Sequence, residues 1–138
     1  MIREFLPSDI DSINEIGTLI KENFASVYKI SELNREYAGI YVYVEDNIVI
    51  GFLEYEYHFE ITDIINIAVS KKHQNKGIGA ALIDYLINNT KSDKIMLEVC
   101  ENNESALNLY KKCSFMEINR RKKYYDCHDA IIMERKIS

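Results

Sequence analysis

The pattern of apolar and polar positions changes period several times along the chain. Ile2 to Leu6 alternates as a short strand. Pro7 follows, and Ser8 is placed to cap a helix with Asp9 and Asp11 in its first turn, where the helix dipole favours acids. Ile10, Ile13, Ile16, Ile20 and Phe24 then recur at helical spacing, and Ser31 to Tyr37 reads as a second short helix. Tyr41 to Glu45 is β-branched and aromatic, Asp46-Asn47 is a turn signal, and Ile48 to Tyr57 resumes as a long strand. In that strand Leu53, Tyr55 and Tyr57 share a face opposite Glu54 and Glu56. Ile61 to Val69 is apolar on both faces, the mark of a central strand covered on both sides. Ile78, Ala81, Leu82, Tyr85 and Leu86 return to one helix face. Ile95 to Val99 is a strand, and Ala106, Leu107, Tyr110 and Cys113 line another helix. Phe115 to Ile118, extending towards Tyr125, and Ala130 to Ile137 close the chain as strands. The order β-α-α-β-β-β-α-β-α-β-β predicts an α/β or α+β fold, a mixed sheet with flanking helices.

Composition adds bounds. At 138 residues, 47% hydrophobic and 28% charged, residues 1–138 are expected to form one domain with a real core. The net charge of −5 argues against a non-specific grip on nucleic acid or anionic lipid. No apolar run approaches the ~18 residues of a membrane span, and the charged start is unlike a signal peptide, so a cytoplasmic protein is expected. Cys100, Cys113 and Cys127 are odd in number and lack close spacing, so neither zinc nor a disulfide framework is expected. Cys127-His128-Asp129 resembles a nucleophile set, but adjacent strand side chains point to opposite faces and form no relay. His58 and His73 have no metal partner at a useful sequence spacing and read as surface residues.

The informative stretch is Gln74-Asn75-Lys76-Gly77-Ile78-Gly79, between the apolar strand and the next helix. Glycines let backbone N–H groups approach a ligand, and a helix N-terminus offers unpaired N–H groups and a positive dipole to phosphate. Lys71, Lys72 and Lys76 concentrate positive charge here. The G-K-[ST] ending of a Walker loop is absent, and so is the third glycine of a dinucleotide fingerprint. On spacing alone, a plain glycine turn into a helix explains the stretch as well.

Together, Asn66-Ile67-Ala68-Val69, Gln74-x-x-Gly77-x-Gly79-x-x-Leu82, Leu97-Glu98-Val99, Asn103 and Ala106-Leu107-x-Leu109-Tyr110 resemble the GCN5-related N-acetyltransferases. The ending Arg120-Arg121-x-x-Tyr124-Tyr125 with Asp129-Ala130-Ile131-Ile132-Met133 narrows the resemblance to members that modify a protein α-amine. It runs from about Ile48 to Ile137; the first 45 residues match only in element order. One departure is Ser114 before Phe115, where the family has a glycine suited to a left-handed helix cap.

The resemblance implies acetyl-CoA as cosubstrate, no metal, and a protein N-terminus, that of a ribosomal protein, as acceptor. Gln74, Asn75, Lys76, Gly77, Ile78, Gly79 and Ala80 would hold the pyrophosphate. Ile67, Ala68 and Val69 would line the pantetheine arm, with a bulge freeing the Val69 N–H for the thioester oxygen. Glu98 would be the base through a water, its apolar neighbours partly desolvating it. Tyr110 would be the acid for the departing thiolate. Asn103 would touch pantetheine, although it suits a helix cap equally. Tyr124-Tyr125 would edge the acceptor site or serve only as strand aromatics. Removing a proton at pH 7 costs ~1 kcal/mol for an α-amine of pKa ~7.8 and ~4.6 kcal/mol for a lysine of pKa ~10.4, which favours the α-amine. Transfer to a small amine or antibiotic, and a non-catalytic acyl-CoA-binding module, are the rival readings.

Overall fold

The computed structural model describes residues 1–33, 35–125 and 128–137, and the side chains of Tyr124 and Tyr125 lie outside that description. Cys127 also falls outside it. The elements are β1 (Ile2–Glu4), α1 (Ile10–Gly17), α2 (Phe24–Tyr28), β2 (Ala38–Glu45), β3 (Ile48–His58), β4 (Ile61–Val69), α3 (Ile78–Asn89), β5 (Lys94–Cys100), α4 (Glu104–Lys112), β6 (Met116–Tyr125) and β7 (His128–Lys136). The strands form one seven-stranded sheet in the order β1-β2-β3-β4-β5-β7-β6. All neighbours are antiparallel except β4 and β5, which run parallel.

Alternation along the strands feeds two cores. On one face, Leu53, Ile64, Leu97, Val99, Ile131 and Met133 pack against Ile78, Leu82 and Leu86 of α3 and Tyr110 of α4. On the other, Ile40, Val42 and Phe52 pack against Ile13 and Ile16 of α1 and Phe24 of α2. The Asp46-Asn47 signal is a two-residue turn with both residues at positive φ, 52° and 63°, which suits the twist of the β2–β3 hairpin.

The N-terminal helical region departs from its sequence pattern. Ser8 is not a cap; it lies within a 3-10 turn over Pro7–Asp9. The turn is closed by Asp9, whose carboxylate accepts the Leu6 N–H at 2.8 Å and a two-pronged contact from Arg3 at 2.7 and 3.1 Å. The Arg3 guanidinium holds the Asp9 carboxyl below its usual range. Helix α1 ends at Gly17, where the missing side chain leaves room for the Phe24 ring, which would lie 2.4 Å from an ideal Cβ. The second helix is therefore Phe24–Tyr28 and not Ser31 to Tyr37, where the structure has a 3-10 turn over Ile30–Glu32.

Helix α4 ends in a Schellman closure. The Phe115 N–H donates to the Tyr110 carbonyl at 3.0 Å and the Ser114 N–H to Lys111 at 3.0 Å. The rings of Tyr110 and Phe115 meet at 5.9 Å, the apolar contact that accompanies this cap. Ser114 takes the left-handed position at φ 69°. A side chain in that region is strained by roughly 1 kcal/mol. Ser114→Gly is therefore expected to stabilise the fold by about 0.5–1 kcal/mol, read as a higher melting temperature. An unchanged or lower melting temperature would count against the strain.

Candidate active site

Strands β4 and β5 pair only over Ile61–Lys94, Thr62–Ile95 and Asp63–Met96. Beyond Asp63 and Met96 they part. From there β4 bonds only to β3, and β5 only to β7. The Ser70 N–H donates to Ile50 at 2.8 Å, and the β3–β4 register steps from that pair in twos. Ile67 and Val69 thus turn their N–H and C=O groups away from β3, towards the cleft between the parted strands. A bulge occurs in β4, but at Ile65, where Glu54 pairs with Asn66 and Tyr55 with Ile64. The cleft-facing N–H nearest the bulge is therefore that of Ile67, not Val69. Val69 lies further along, and its carbonyl accepts the Gln74 side-chain amide at 3.0 Å. Ala68 turns to the opposite face, against the α1 core.

The loop after β4 delivers the chain to α3. Gln74, Asn75, Lys76 and Gly77 are exposed. Asn75 and Gly77 take positive φ, 62° and 81°, and Gly77 is the N-cap residue. The first helical bond runs from the Ala81 N–H to Gly77, leaving the N–H groups of Ile78, Gly79 and Ala80 outside the helix ladder. A Cβ on Gly77 would meet nothing within 4 Å, so only the backbone conformation requires glycine there. A Cβ on Gly79 would sit 3.1 Å from Leu109, so its absence lets α3 approach α4. Ile78 is buried in the core, which leaves only its backbone N–H for a ligand. The arrangement can accept a pyrophosphate on N–H groups beside Lys76.

Glu98 and Tyr110 stand on opposite faces of the sheet. Leu97 and Val99 point into the α3–α4 core, so alternation puts Glu98 on the face shared with α1, beyond the cover of that helix. It is exposed, contrary to the partial desolvation that its apolar neighbours predict, and Arg121 Nη2 stands 3.9 Å from its carboxylate. Tyr110 is 7% exposed, and burial, with a smaller effect of Cys113, pushes its phenol up to about 12. Asn103 caps α4: its side-chain oxygen accepts the Ala106 N–H at 3.3 Å. The Asp129 carboxylate gathers the Lys123 N–H, Lys122 and Arg120, while its own N–H donates to Glu101. That network ties the β6–β7 hairpin to the end of β5. The backbones of Tyr124 and Tyr125 belong to β6.

Two features escape the sequence pattern. Glu54, 3% exposed, accepts the Asn66 side-chain amide at 2.8 Å, and burial raises its carboxyl above the usual range. His58, expected to stand alone, lies 3.3 Å from Glu56 and 3.5 Å from Asp63. Both depend on which residues β3 and β4 bring opposite one another, Glu54 with Asn66 and Glu56 with Asp63. His73, by contrast, only meets Ser70 at 2.7 Å.

A mixed sheet whose central parallel strands part beside a glycine turn into a helix defines an acyl-CoA-dependent acetyltransferase fold. Residues 9–115 match the family described as "Acetyltransferase (GNAT) family", and the chain belongs to it. It is an N-acetyltransferase by family. An N-alpha-acetyltransferase of Sulfurisphaera tokodaii is 28% identical, with 96% of this chain and 90% of that protein covered. The ribosomal protein bS18-alanine N-acetyltransferase of Escherichia coli is 35% identical, over 58% of this chain and 64% of its own. The crystal structure of the Escherichia coli ribosomal-protein-alanine N-acetyltransferase superposes with a TM-score of 0.89 at 25% identity, covering 100% of this chain and 94% of that one. Among the described residues, no helix is long and apolar enough to cross a membrane.

The buried Glu54 predicts a pH signature. Its carboxyl is raised in the fold, so the charged form weakens the fold. Stability is lost as pH rises from the ordinary carboxyl value of ~4.3 through the raised one. Glu54→Gln keeps an acceptor for Asn66 and removes the charge. The variant is expected to melt higher than the parent at pH 7 and to lose that advantage below about pH 4. An equal difference at both pH values would refute the assignment.

Proposed function

We propose that this chain transfers the acetyl group of acetyl-CoA to the α-amine of a protein N-terminus, that of a ribosomal protein, by direct attack in a ternary complex. The observation that supports this reading most is the placement of Glu98 and Tyr110 on opposite faces of the parted strands. A thioester held in the cleft would present its carbonyl carbon to an amine on the Glu98 face. Its sulfur would leave towards the Tyr110 face.

Each group then has a role. The N–H groups of Gly77, Ile78, Gly79 and Ala80, with Gln74, Asn75 and Lys76, hold the pyrophosphate. Ile67 and Val69 pair their backbone with the pantetheine arm while Ala68 supports the strand. The Ile67 N–H, next to the bulge, receives the developing oxyanion. Asn103 caps α4 and borders the arm. Glu98, open to water, takes a proton from the attacking amine through a water molecule. Tyr110 keeps its proton at neutral pH. Giving it up wholly to a thiolate of pKa ~8.5 is uphill by roughly 3.5 pH units, or ~5 kcal/mol, so it acts as a hydrogen-bond donor to the leaving sulfur. The two named relatives, which act on α-amines, and the milder cost of deprotonating such an amine support the acceptor class.

Incubation with acetyl-CoA and a peptide that begins Ala-Arg and contains one internal lysine tests this reading. Tandem mass spectrometry is expected to find the label on the α-amine alone. Label on lysine, or only on small amines offered in parallel, refutes the acceptor class. Glu98→Gln and Tyr110→Phe are each expected to lower kcat about 100-fold with acetyl-CoA affinity unchanged. Full rates in both would remove these roles.

A further inference from the structure

Two antiparallel strands can pair in registers that differ by one residue, and the shift turns each side chain and each N–H to the opposite side. Strand β4 uses both registers. It first pairs with β3 as His58–Ile61, Tyr57–Thr62, Glu56–Asp63 and Tyr55–Ile64. Past the extra residue, Ile65, it pairs as Glu54–Asn66, Leu53–Ile67, Phe52–Ala68 and Gly51–Val69. Ile64 and Ile67, three positions apart, therefore both reach the α3–α4 core. We infer that Glu54 is a positioning residue for acetyl transfer: by holding the side chain of Asn66 it fixes β4 in the register that turns the Ile67 N–H into the cleft. The role rests on the acetyl-transfer reading given above.

The unbulged register is the alternative. Were the first pairing continued, Asn66 would stand opposite Leu53, and Ile67 opposite Phe52. The Asn66 amide would enter the α3–α4 core beside Leu53 and Ile64. Ile67 and Val69 would bond to β3, and the N–H groups of Asn66 and Ala68 would face the cleft in their place. Two features of the candidate site depend on the register that β4 adopts. One is the Ile67 N–H. The other is the Val69 carbonyl, which is turned away from β3 and accepts the Gln74 amide at 3.0 Å.

The apolar residues do not choose between the registers, because Ile65, Ile67, Ala68 and Val69 suit either core. Asn66 does choose. It is 6% exposed, and a buried amide left without a partner is penalised. In the bulged register it lies on the α1 side, directly across the ladder from Glu54, which accepts its side-chain N–H at 2.8 Å. Glu54 is fixed in turn. It stands two positions from Phe52 and pairs with Ile40 of β2, and both of those belong to the α1–α2 core. The contact adjoins the bulge, where a slip of register would begin. Burial raises the Glu54 carboxyl, against the opposing effect of the Asn66 bond. A carboxylate and a neutral carboxyl both accept an amide hydrogen, so the hold does not need the charge. Glutamine should supply it equally.

Three variants and two measurements test this. Glu54→Gln keeps the acceptor. Glu54→Leu combined with Asn66→Leu removes both polar groups and leaves neither unpaired, so the double variant is expected to melt no lower than the parent. Asn66→Val removes the amide alone and decides the matter if the double variant does not fold. The first measurement is residue-resolved amide hydrogen exchange without acetyl-CoA. In the parent and in Glu54→Gln, Asn66 and Ala68 are expected to exchange slowly and Ile67 fast, since only the first two bond to β3. In the apolar variants that alternation should fade or invert. The second measurement is steady-state kinetics with acetyl-CoA and peptide. The apolar variants are expected to lose about 10- to 100-fold in kcat, with the KM for peptide unchanged and that for acetyl-CoA raised no more than about 5-fold. A merely structural loss would lower melting temperature and rate together, and the double variant separates the two. Glu54→Gln should keep kcat within about 3-fold of the parent. A parental exchange pattern or a parental kcat in the apolar variants overturns the inference, and so does an equal loss of kcat in Glu54→Gln. If the parent acetylates lysine or a small amine instead, the N-terminal reading fails, and the same kinetics on that amine decide the role of Glu54. A parent that acetylates no amine overturns both.

Discussion

The architecture turns on where β4 and β5 stop pairing. Backbone N–H and C=O groups inside a protein need partners, so two neighbouring strands separate only if each is held from its other side. Here β4 keeps its ladder with β3 and β5 keeps its ladder with β7. The α3–α4 core fills the space beneath both, with Leu53 and Ile64 on one side of the divide and Leu97 and Val99 on the other. The result is a cleft whose walls are polar backbone and whose floor is packed side chains. An acyl chain carrying amides would meet there the hydrogen-bonding edge that a missing strand would have used.

This explains what could be read from the sequence. Alternation at Tyr41 to Glu45 and Ile48 to Tyr57, and the helical period from Ile78, reflect contacts between near neighbours in the chain. They located their elements to within a few residues. The glycine turn was also legible, because Gly77 must take φ 81° to start α3. The fork was not. It depends on pairing between residues about thirty positions apart, and no local period records where that pairing ends. The bulge at Ile65 is of the same kind, which is why the cleft-facing N–H beside it belongs to Ile67. The Asp63–His58 contact was hidden for a like reason: spacing in sequence suggested no metal partner, and the β3–β4 register brought Asp63 beside Glu56 and His58.

Glu98 shows a different limit. Its apolar neighbours suggested desolvation. Apolar neighbours along a strand describe the other face, however, and the exposure of Glu98 depends on whether a helix covers its own. The α1–α2 core reaches β2 to β4 and does not extend to Glu98 on β5, which stays exposed on that side. In the proposed reaction the side that exposes Glu98 to water would be the acceptor's approach. The N-terminal region was misread for a related reason. The helical period from Ile10 to Phe24 is real, but it is split between α1 and α2, and the Phe24 ring folds back against the bare Cα of Gly17.

The position of Tyr110 follows from helix ends rather than from helix propensity. Nine residues are too few for a helix to persist alone in water, so α4 depends on its caps and its packing. Asn103 closes the front by accepting the Ala106 N–H, and the Schellman closure at Ser114 closes the back through the Tyr110 carbonyl. The Phe115 ring then packs on the Tyr110 ring from beyond the turn. The residue that would face the leaving sulfur is therefore held by its own backbone carbonyl, by the ring five positions on, and by the core under it. Burial that fixes the ring also holds the phenol proton in place. Rigidity and protonation state thus have one cause. A looser C-terminus of α4 would lose both together, and the Phe115 and Ser114 N–H bonds to Tyr110 and Lys111 keep that turn closed at the cost of a left-handed serine.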